Sequence, residues 1–506
     1  MAAQTLAAAA ALVSFAVHGN RIELKLDQGA AELVWITDST FRFRHSLEGP
    51  LAQVTWADKE QVGAPAVETP AAVTFASRFL QVTVQKRGLL VKVRKQDGKP
   101  LAADLTEARP RAGGGVEWER AAGPGDRFYG LGASSAINLD LRGQVVRATA
   151  PLLVSTAGYG EYHNVPGACT FDLAAGRADR YRIQAPAVDY YLFYGPTPKE
   201  IFEEAAITRT AVTATPVADA RTGSWDTLRD LLPRMVHASL SGILMPLFDM
   251  TPYANAPPPL AERARQLAQI SPGLVPEKAA TTPLRRRLLT FFETYAEEAR
   301  SRGFPFFHPL PFQFPEDAEA ARHGDEFLLG DEMLVAPIYT PAGSRQVYLP
   351  RGIWTNMETG EATPGRKTVS VESKSLPVFA RNGTIVPLDA LRPGEPMLLH
   401  YYPSLAAEFF LLEAEIGDWS QVHAAPAADI MRLEVESKVN RLYEWVVHHA
   451  ARPLRVEFEQ RPYTEVSTPA ALRDLTWYYD APAGDLHVRV FAAAGKDVIT
   501  NLIPPQ

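Results

Sequence analysis

Residues 221–253, near the middle of the chain, combine the elements of one repeat of a (β/α) barrel. The first part predicts an amphipathic helix, because apolar residues recur at helical spacing opposite charged ones. Gly242 then precedes a short apolar run that ends on Asp249. In (β/α) barrels the residues that bind or react follow the C-terminal ends of the strands. Asp249 therefore stands where a functional residue would stand, and an aspartate that closes a turn is the alternative interpretation.

The sequence on both sides of this stretch has a different pattern, in which apolar and polar residues alternate with a period of two. Residues 13–194 contain many such runs separated by turn residues, which predicts an antiparallel β-sandwich. The alternation returns from Tyr339 onwards. Between the two regions, Thr197 and Pro198 are typical of a helix start and indicate a first domain boundary near residue 205.

Further helices are predicted between the two β regions. A run of prolines at 257–259 starts one helix, which continues through Leu267. Thr282 and Pro283 start the longest predicted helix, which continues to Arg302. Together these patterns predict a protein of mixed β and α/β class.

Composition excludes several classes of partner. The chain has 506 residues, 46% of them hydrophobic, and a net charge of −7 without a dense basic cluster, so nucleic acid is not an expected partner. No apolar stretch is long enough to predict a membrane span. The chain has a single cysteine, Cys169, which excludes an intrachain disulfide and suits a reducing compartment.

The first residues predict a short tail followed by a strand. Residues 6–17 are apolar, but no Lys or Arg precedes them, as a secretory signal would require. We therefore expect a cytoplasmic protein, with a secreted form as the alternative.

Several long motifs resemble those of glycoside hydrolase family 31, the α-glucosidase and α-xylosidase group. In the first half of the chain they are FYGLG at 128–132, PLLVSTAGYGEYHN at 151–164 and DYYLFYGPTPKEIF at 189–202. In the second half they are FHPLPFQFPED at 307–317, the run from DEFLLG to METGE at 325–361, and LPVFARNGTIVPL at 376–388. The resemblance covers most of residues 125–390.

This resemblance implies a fold and a chemistry. It implies a galactose-mutarotase-like β-sandwich at 1–205, a (β/α) barrel at 206–338, and two C-terminal β-sandwich domains at 339–396 and 397–506. It also implies retaining hydrolysis of α-linked sugars by two carboxyl groups, without a metal or organic cofactor. The expected partner is an α-glucoside or α-xyloside, and an oligomer is an open possibility.

The barrel region departs from the family pattern. A complete (β/α) barrel takes about 250 residues, so residues 206–338 predict a shortened, incomplete one. The family's nucleophile motif, Asp-Met-Asn-Glu, occurs nowhere in the chain. The segment with its acid/base aspartate is missing between Gly223 and Trp225, and the loop at 271–280 lacks the family's Arg and His. These losses fall on sugar-facing segments, while the strand motifs remain.

Three residues remain candidates for substrate contact, and the catalytic residues are unknown. Asp249 ends the strand that resembles the family's Asp-Ile-Gly-Gly-Phe strand, and Arg221 begins the same region. His308 replaces the arginine of the family's Arg-Pro-Leu motif. A histidine in an apolar strand is more often a hydrogen-bonded core residue, and His18, His448 and His449 have no partners at metal-ligand spacing.

Three functional hypotheses follow. The first is an inactive relative, a pseudoenzyme, that binds carbohydrate or a protein partner. The second is an active α-glycosidase that uses other acids, Asp249 among them. The third is a structural subunit without a sugar site. A truncated gene sequence, whose half-barrel could not bury its strands, is a further explanation of the missing segments.

Overall fold

The protein is mostly β-sheet with few helices and separates into two compact units. The computed structural model describes residues 9–54, 61–132, 138–148, 150–174, 179–208, 212–217, 223–275, 282–372, 374–427, 429–458 and 460–504. The first unit comprises Met1–Ala211, Val236–Gly242 and Arg302–Phe304, and the second comprises Val212–Met235, Ile243–Ser301 and Pro305–Gln506. The predicted division into four domains remains a prediction.

Within the described residues, the first unit is built from antiparallel sheets, one whole helix and residues 236–240 of a second helix. Its strands are β1 (Leu12–His18), β2 (Arg21–Leu26), β3 (Ala30–Thr37), β4 (Thr40–Ser46), β5 (Ala66–Glu68), β6 (Ala72–Ala76), β7 (Leu80–Gln85), β8 (Val91–Lys95), β9 (Pro100–Ala103), β10 (Arg109–Pro110), β11 (Val116–Ala121), β12 (Phe128–Gly130), β13 (Val145–Ala148), β14 (Leu152–Ser155), β15 (Tyr159–His163), β16 (Cys169–Asp172), β17 (Arg180–Ala185) and β18 (Val188–Tyr194). Helix α1 (Pro198–Thr208) follows them.

The strands form an eight-stranded sheet and two five-stranded sheets within the described residues. Their orders are β1-β2-β3-β4-β18-β15-β14-β12, β10-β11-β17-β16-β13 and β5-β6-β7-β8-β9. Inward-facing side chains such as Trp35, Phe41, Trp118 and Ile183 build one core, because alternate residues of each strand point to the same side. The alternating pattern thus predicted this β region correctly.

Helix α1 begins where the sequence predicted. The Thr197 amide donates to Glu200 Oε2 at 2.9 Å, and the Glu200 amide donates to Thr197 Oγ1 at 3.4 Å, which is a capping box. The helix packs against β15 and β18. A Cβ atom on Gly160 would lie 2.7 Å from Ile201 Cγ2, so glycine allows this close approach.

A group of acidic and basic side chains lies buried inside the first unit. The guanidinium of Arg120 contacts Asp104 at 2.8 Å and Glu161 at 2.6 Å, and Glu161 also contacts His163 Nε2 at 2.8 Å. Both Arg120 and Glu161 are almost fully buried. Burial alone would raise the pKa of Glu161, but Arg120 and His163 hold that pKa below its usual value.

The second unit contains most of the helices and a small parallel sheet. Its helices are α2 (Trp225–Leu240), α3 (Pro258–Ala268), α4 (Pro283–Arg287), α5 (Leu289–Arg302) and α6 (Leu310–Gln313). Residues 236–240 of α2 and the last residue of α5 belong to the first unit. Its strands are β19 (Val212–Val217), β20 (Ile243–Asp249), β21 (Gly273–Val275), β22 (Phe307–His308), β23 (Phe327–Leu329), β24 (Met333–Val335), β25 (Ser344–Leu349), β26 (Ile353–Asn356), β27 (Ala362–Pro364), β28 (Lys367–Glu372), β29 (Val378–Arg381), β30 (Thr384–Leu388), β31 (Met397–Tyr402), β32 (Ala407–Glu413), β33 (Asp418–Pro426), β34 (Met431–Ser437), β35 (Arg441–Val447), β36 (Arg455–Phe458), β37 (Arg461–Pro462), β38 (Thr464–Glu465), β39 (Thr476–Asp480), β40 (Asp485–Ala492) and β41 (Lys496–Ile503).

Five sheets of the second unit lie within the described residues. The parallel sheet has the order β19-β20-β21. The others have the orders β22-β23-β24-β29-β26-β27, β25-β28, β30-β31-β35-β40-β39-β38 and β32-β33-β34-β41-β36-β37. The helix–glycine–strand repeat predicted at 221–253 is present as α2, Gly242 at a φ of +83° and β20.

The single long helix predicted from Thr282 to Arg302 is wrong, because the chain breaks at Leu288 into α4 and α5. The Asp389 amide donates to the Arg287 carbonyl at 2.7 Å, and the Thr290 amide donates to Asp389 Oδ2 at 2.8 Å. Both backbone groups would otherwise bond within a continuous helix. The longest described helix is instead α2, with 16 residues. None of the described helices is long and apolar enough to cross a membrane.

Candidate functional site

Asp249 lies at the C-terminal end of β20, the middle strand of the parallel sheet. β19 and β21 run parallel to it on either side, and Asp249 lies opposite Val275 of β21. The C-terminal ends of the strands therefore meet at one edge, the edge that carries chemistry in (β/α) proteins. The predicted position of Asp249 at a strand end is confirmed.

The carboxylate of Asp249 stabilises the turn that follows the strand. Asp249 Oδ1 accepts a hydrogen bond of 2.8 Å from the Thr251 amide, which opens the 3₁₀ turn Thr251–Tyr253. The ring of Tyr253 stacks on Phe248 at a centroid distance of 6.1 Å. Among the described residues, no other hydrogen bond or ion pair involves this carboxylate. The geometry matches the turn interpretation and leaves Asp249 Oδ2 for a further group.

The start of α2 packs against this turn. The Gly223 amide donates to the Pro252 carbonyl at 2.9 Å, and a Cβ atom on Gly223 would lie 2.5 Å from that oxygen. The Thr227 amide donates to Ser224 Oγ at 3.1 Å and caps the helix. The shortened Gly223–Trp225 segment therefore lies beside the strand end that carries Asp249. Arg221, the second predicted contact residue, lies outside the described residues.

His308, the third candidate, is a buried residue of β22. It is 2% exposed and lies opposite Leu328 of β23. Its Nε2 atom lies 3.7 Å from Asp331 Oδ1, which belongs to the turn between β23 and β24. None of the described hydrogen bonds or ion pairs of Asp249 reaches His308. The structure therefore does not bring the two candidates together through a direct polar contact.

Glu332 follows Asp331 in the same turn and is a buried acid. Tyr295 of α5 donates to Glu332 Oε2 at 2.7 Å. Burial, together with the negative charge of Asp331, raises the pKa of Glu332 from its ordinary value of 4.5 to about 8. The sequence places Asp331 and Glu332 side by side between two short apolar runs. It gave no signal for burial, because Tyr295 reaches the turn from 36 residues away along the chain.

One group of described residues has ligand atoms close enough to hold a metal ion. The donor atoms of His323, Asp325 and Glu326 all lie within 4.8 Å of one another. These donors are already paired, since His323 Nδ1 lies 3.2 Å from Glu326 and the Arg345 guanidinium lies 2.9 Å from Asp325. The group is therefore an ion-pair network.

A cavity of about 360 Å³ lies elsewhere in the second unit. Apolar side chains line much of it, among them Ile270, Leu284, Leu288, Met333, Leu376 and Leu388. His400 of β31 and His448, which directly follows β35, also line it. Ligand pockets of proteins start at about 300 Å³, so the cavity is large enough for a small molecule.

The two histidines of the cavity belong to a chain of hydrogen bonds across three neighbouring strands. His400 Nδ1 lies 2.9 Å from His448 Nε2, and His448 Nδ1 lies 3.1 Å from Asp485 Oδ2 on β40. The ring of Tyr402 stacks on His448 at a centroid distance of 4.4 Å. The sequence did not predict this group, because its members are far apart in the chain and only strand pairing joins them.

Sequence comparison identifies known relatives for part of the chain. The model named "Glycosyl hydrolase family 31 C-terminal domain" matches residues 303–386. Alpha-glucosidase 2 of Bacillus thermoamyloliquefaciens is 27% identical over 209 residues, which is 37% of this chain and 27% of that protein. The alpha-glucosidase of Saccharolobus solfataricus is 38% identical over 106 residues, which is 21% of this chain and 15% of that protein. The matches thus span about a quarter or less of these relatives.

Structural comparison finds a similar fold over nearly the whole chain. The GH31 dextranase of Flavobacterium johnsoniae aligns with a TM-score of 0.83 at 14% identity, covering 98% of this chain and 100% of that chain. The cycloalternan-forming enzyme of Listeria monocytogenes aligns with a TM-score of 0.79 at 15% identity, covering 98% and 77%. At this identity the likeness concerns the fold alone. Residues 303–386 thus match the C-terminal domain of glycoside hydrolase family 31, and the fold of nearly the whole chain is similar to that of solved members of that family.

Proposed function

We propose that this chain is a carbohydrate-binding member of family 31 in which hydrolysis is impaired or lost, built around a shortened barrel at residues 206–338. The observation that carries the proposal is the missing nucleophile motif, since no Asp-Met-Asn-Glu sequence occurs in the chain. Retaining hydrolysis needs two carboxyl groups about 5–5.5 Å apart. Loss of both removes much of an acceleration of at least about 10⁶.

The surroundings of Asp249 support this proposal. A carboxylate that acts as nucleophile or acid must face the bond that it cleaves, with a second carboxyl across from it. The described contact of Asp249 is instead a hydrogen bond to the Thr251 amide within its own turn. The segment that carries the acid/base aspartate in the family is shortened here to Gly223–Trp225.

The proposed ligand is an α-linked oligosaccharide. The structural relative from Flavobacterium johnsoniae was solved with isomaltotriose and with glucose, so α-linked glucosides are the first ligands to test. A sugar site at the C-terminal edge of the parallel sheet would use Asp249, whose Oδ2 can accept hydrogen bonds from hydroxyl groups.

One observation favours the active alternative. A general acid at neutral pH needs a raised pKa, and burial raises the pKa of Glu332 to about 8. Glu332 is only 7% exposed, however, and its carboxyl accepts a hydrogen bond from Tyr295. This placement suits a buried structural acid better than one that protonates a substrate.

The first test measures turnover of nitrophenyl α-glucoside and α-xyloside by the full chain. We expect no hydrolysis above background. Hydrolysis that disappears in Asp249→Asn, but not in the matched surface variant Asp226→Asn, would establish the active alternative. Loss in Glu332→Gln alone would assign the chemistry to that acid instead.

The second test measures binding of maltose, isomaltose and isomaltotriose by isothermal titration calorimetry. We expect heat of binding with at least one of them, and weaker binding in Asp249→Asn. The absence of binding to all three would favour a structural subunit without a sugar site. Sedimentation of the same samples would then show whether the chain forms an oligomer.

A further inference from the structure

The sequence contains one Asn–Gly pair, Asn382–Gly383, which forms the turn between β29 and β30. In such a pair the backbone nitrogen of the glycine can attack the side-chain carboxamide of the asparagine, because glycine has no side chain to hinder the approach. Gly383 has a φ of +90°, a conformation that favours glycine. The turn therefore combines a reactive pair of residues with a backbone that other residues would adopt only with strain.

The reaction needs no cofactor and only one water molecule. The Gly383 nitrogen gives up its proton and bonds to Asn382 Cγ, while the carboxamide nitrogen leaves with that proton as ammonia. Water then opens the resulting five-membered succinimide ring at one of its two carbonyl carbons, which gives aspartate or isoaspartate. For the first step the carboxamide must be free to turn towards the Gly383 nitrogen, and that nitrogen must be free to lose its proton.

The fold holds the carboxamide of Asn382 at both ends. Thr355 Oγ1 donates to Asn382 Oδ1 at 2.9 Å, and Asn382 Nδ2 donates to the Pro403 carbonyl at 3.2 Å. Thr355 lies on β26 and is only 1% exposed. The carboxamide is thus fixed by two segments that lie outside its own turn.

The attacking nitrogen is held in the same way. The Gly383 amide donates to the Tyr402 carbonyl at 2.6 Å, and the Asn382 amide donates to the Ile353 carbonyl at 2.9 Å. A proton shared with a carbonyl oxygen is harder to remove, and the nitrogen that carries it faces Tyr402. Both reacting groups are therefore committed to other partners in the folded chain.

We propose that Asn382 is a deamidation site that the fold keeps closed and that opens when the turn separates from β26 and β31. Deamidation at this position then marks chains that have opened here. The aspartate product accepts hydrogen bonds but has no proton to donate to the Pro403 carbonyl when ionised. The modified turn loses one of its contacts, so the change opposes reclosure.

The test incubates the full chain in mildly alkaline buffer and follows Asn382 by mass spectrometry after digestion with pepsin in acid, which halts the reaction. We expect Asn382 to deamidate about a hundred-fold more slowly in the folded chain than in the urea-unfolded chain. Three hydrogen bonds must open together, and each contributes a factor of about five. Equal rates in the folded and unfolded chains would overturn the proposal.

Two threonine variants separate local opening from unfolding of the whole unit. Thr355→Val keeps the shape of the side chain and removes the donor to Asn382, so the rate in the folded chain should rise about five-fold. Thr500→Val is the matched control, since Thr500 is also 1% exposed and its hydroxyl pairs with Tyr463 instead. It should leave the rate unchanged. An equal rise in both variants, or no rise in Thr355→Val, would contradict a local lock.

Asn382→Asp places the product directly in the turn. We expect urea to unfold this variant at a lower midpoint concentration than wild type, because the carboxylate cannot donate to the Pro403 carbonyl. Far-UV circular dichroism measures the midpoint. A midpoint equal to that of wild type would show that these contacts do not hold the carboxamide, and the proposal would fail.

Discussion

Glu161 of the first unit and Glu332 of the second unit are both buried carboxyl groups, with exposed fractions of 0% and 7%. Glu161 lies 2.6 Å from the guanidinium of Arg120, and its pKa is held below its usual value. Glu332 has the hydroxyl of Tyr295 as its partner and the negative charge of Asp331 beside it, and its pKa rises to about 8.

For these two carboxyl groups, the partner rather than burial decides the direction in which the pKa moves. Burial disfavours the charge in both cases, and a cation at contact distance reverses the outcome in one of them. The low pKa of Glu161 therefore depends on its contact with Arg120. Glu332 acts at neutral pH as a neutral hydrogen-bonding group.

The largest effect is expected for Arg120→Met, which removes the cation from the buried group. Asp104 and Glu161 would then be left without their counter-ion, and we expect the free energy of unfolding to fall by about 4 kcal/mol. Urea unfolding followed by far-UV circular dichroism measures this loss. Arg180→Met, which breaks more exposed ion pairs in the same unit, is the matched control and should cost far less. Similar losses in both variants would show that the buried ion pairs stabilise the fold no more than the exposed ones do.

The second effect concerns Glu332→Gln and depends on pH. The pKa of Glu332 in the folded chain lies above the ordinary value of 4.5, so its contribution to stability is complete below about pH 4.5 and is lost as the pH rises through about 8. Relative to wild type, the variant should therefore gain up to about 4 kcal/mol between pH 5 and pH 9. Urea unfolding at the two pH values measures the change.

Glu262→Gln, on the exposed side of α3, is the control for this measurement and should show no such gain. A Glu332→Gln variant whose stability follows that of wild type at both pH values would contradict the assigned pKa. It would also remove the distinction drawn between Glu332 and Glu161.

The smallest effect is expected for Tyr295→Phe, which removes the hydroxyl that donates to Glu332. The same hydroxyl accepts a hydrogen bond of 2.9 Å from the Asp331 amide, so the variant loses two hydrogen bonds, at about 1 kcal/mol each. The two residues share one contact, so the double variant Tyr295→Phe with Glu332→Gln should lose less than the sum of the single losses. Additive losses would mean that the hydroxyl stabilises α5 in some other way.

Features set by neighbouring residues could be predicted from the sequence. The capping box of Thr197 and Glu200 spans one helical turn, and the strand that ends on Asp249 follows from a local apolar run. The helix break at Leu288 could not be predicted, because it depends on Asp389, which lies about a hundred positions further along the chain. The pairing of His400 with His448 depends in the same way on the alignment of separate strands.

The candidate site was predictable to a smaller degree than the fold. The position of Asp249 at a strand end followed from its spacing, whereas the hydrogen bond of its carboxylate to Thr251 is visible only in the structure. The burial of His308 agrees with its apolar strand. The raised pKa of Glu332 depends on Tyr295, and a pattern of residues along one segment carries no information about such a contact.

The contact of Asp389 with the start of α5 has a practical consequence for dissecting the protein. The segment that matches the family's C-terminal domain ends at residue 386 and begins at 303, so it contains neither Asp389 nor α5. A fragment cut at residue 386 that includes α5 would lose the carboxylate that holds Thr290. Fragments intended for expression or deletion mapping should therefore extend beyond Asp389.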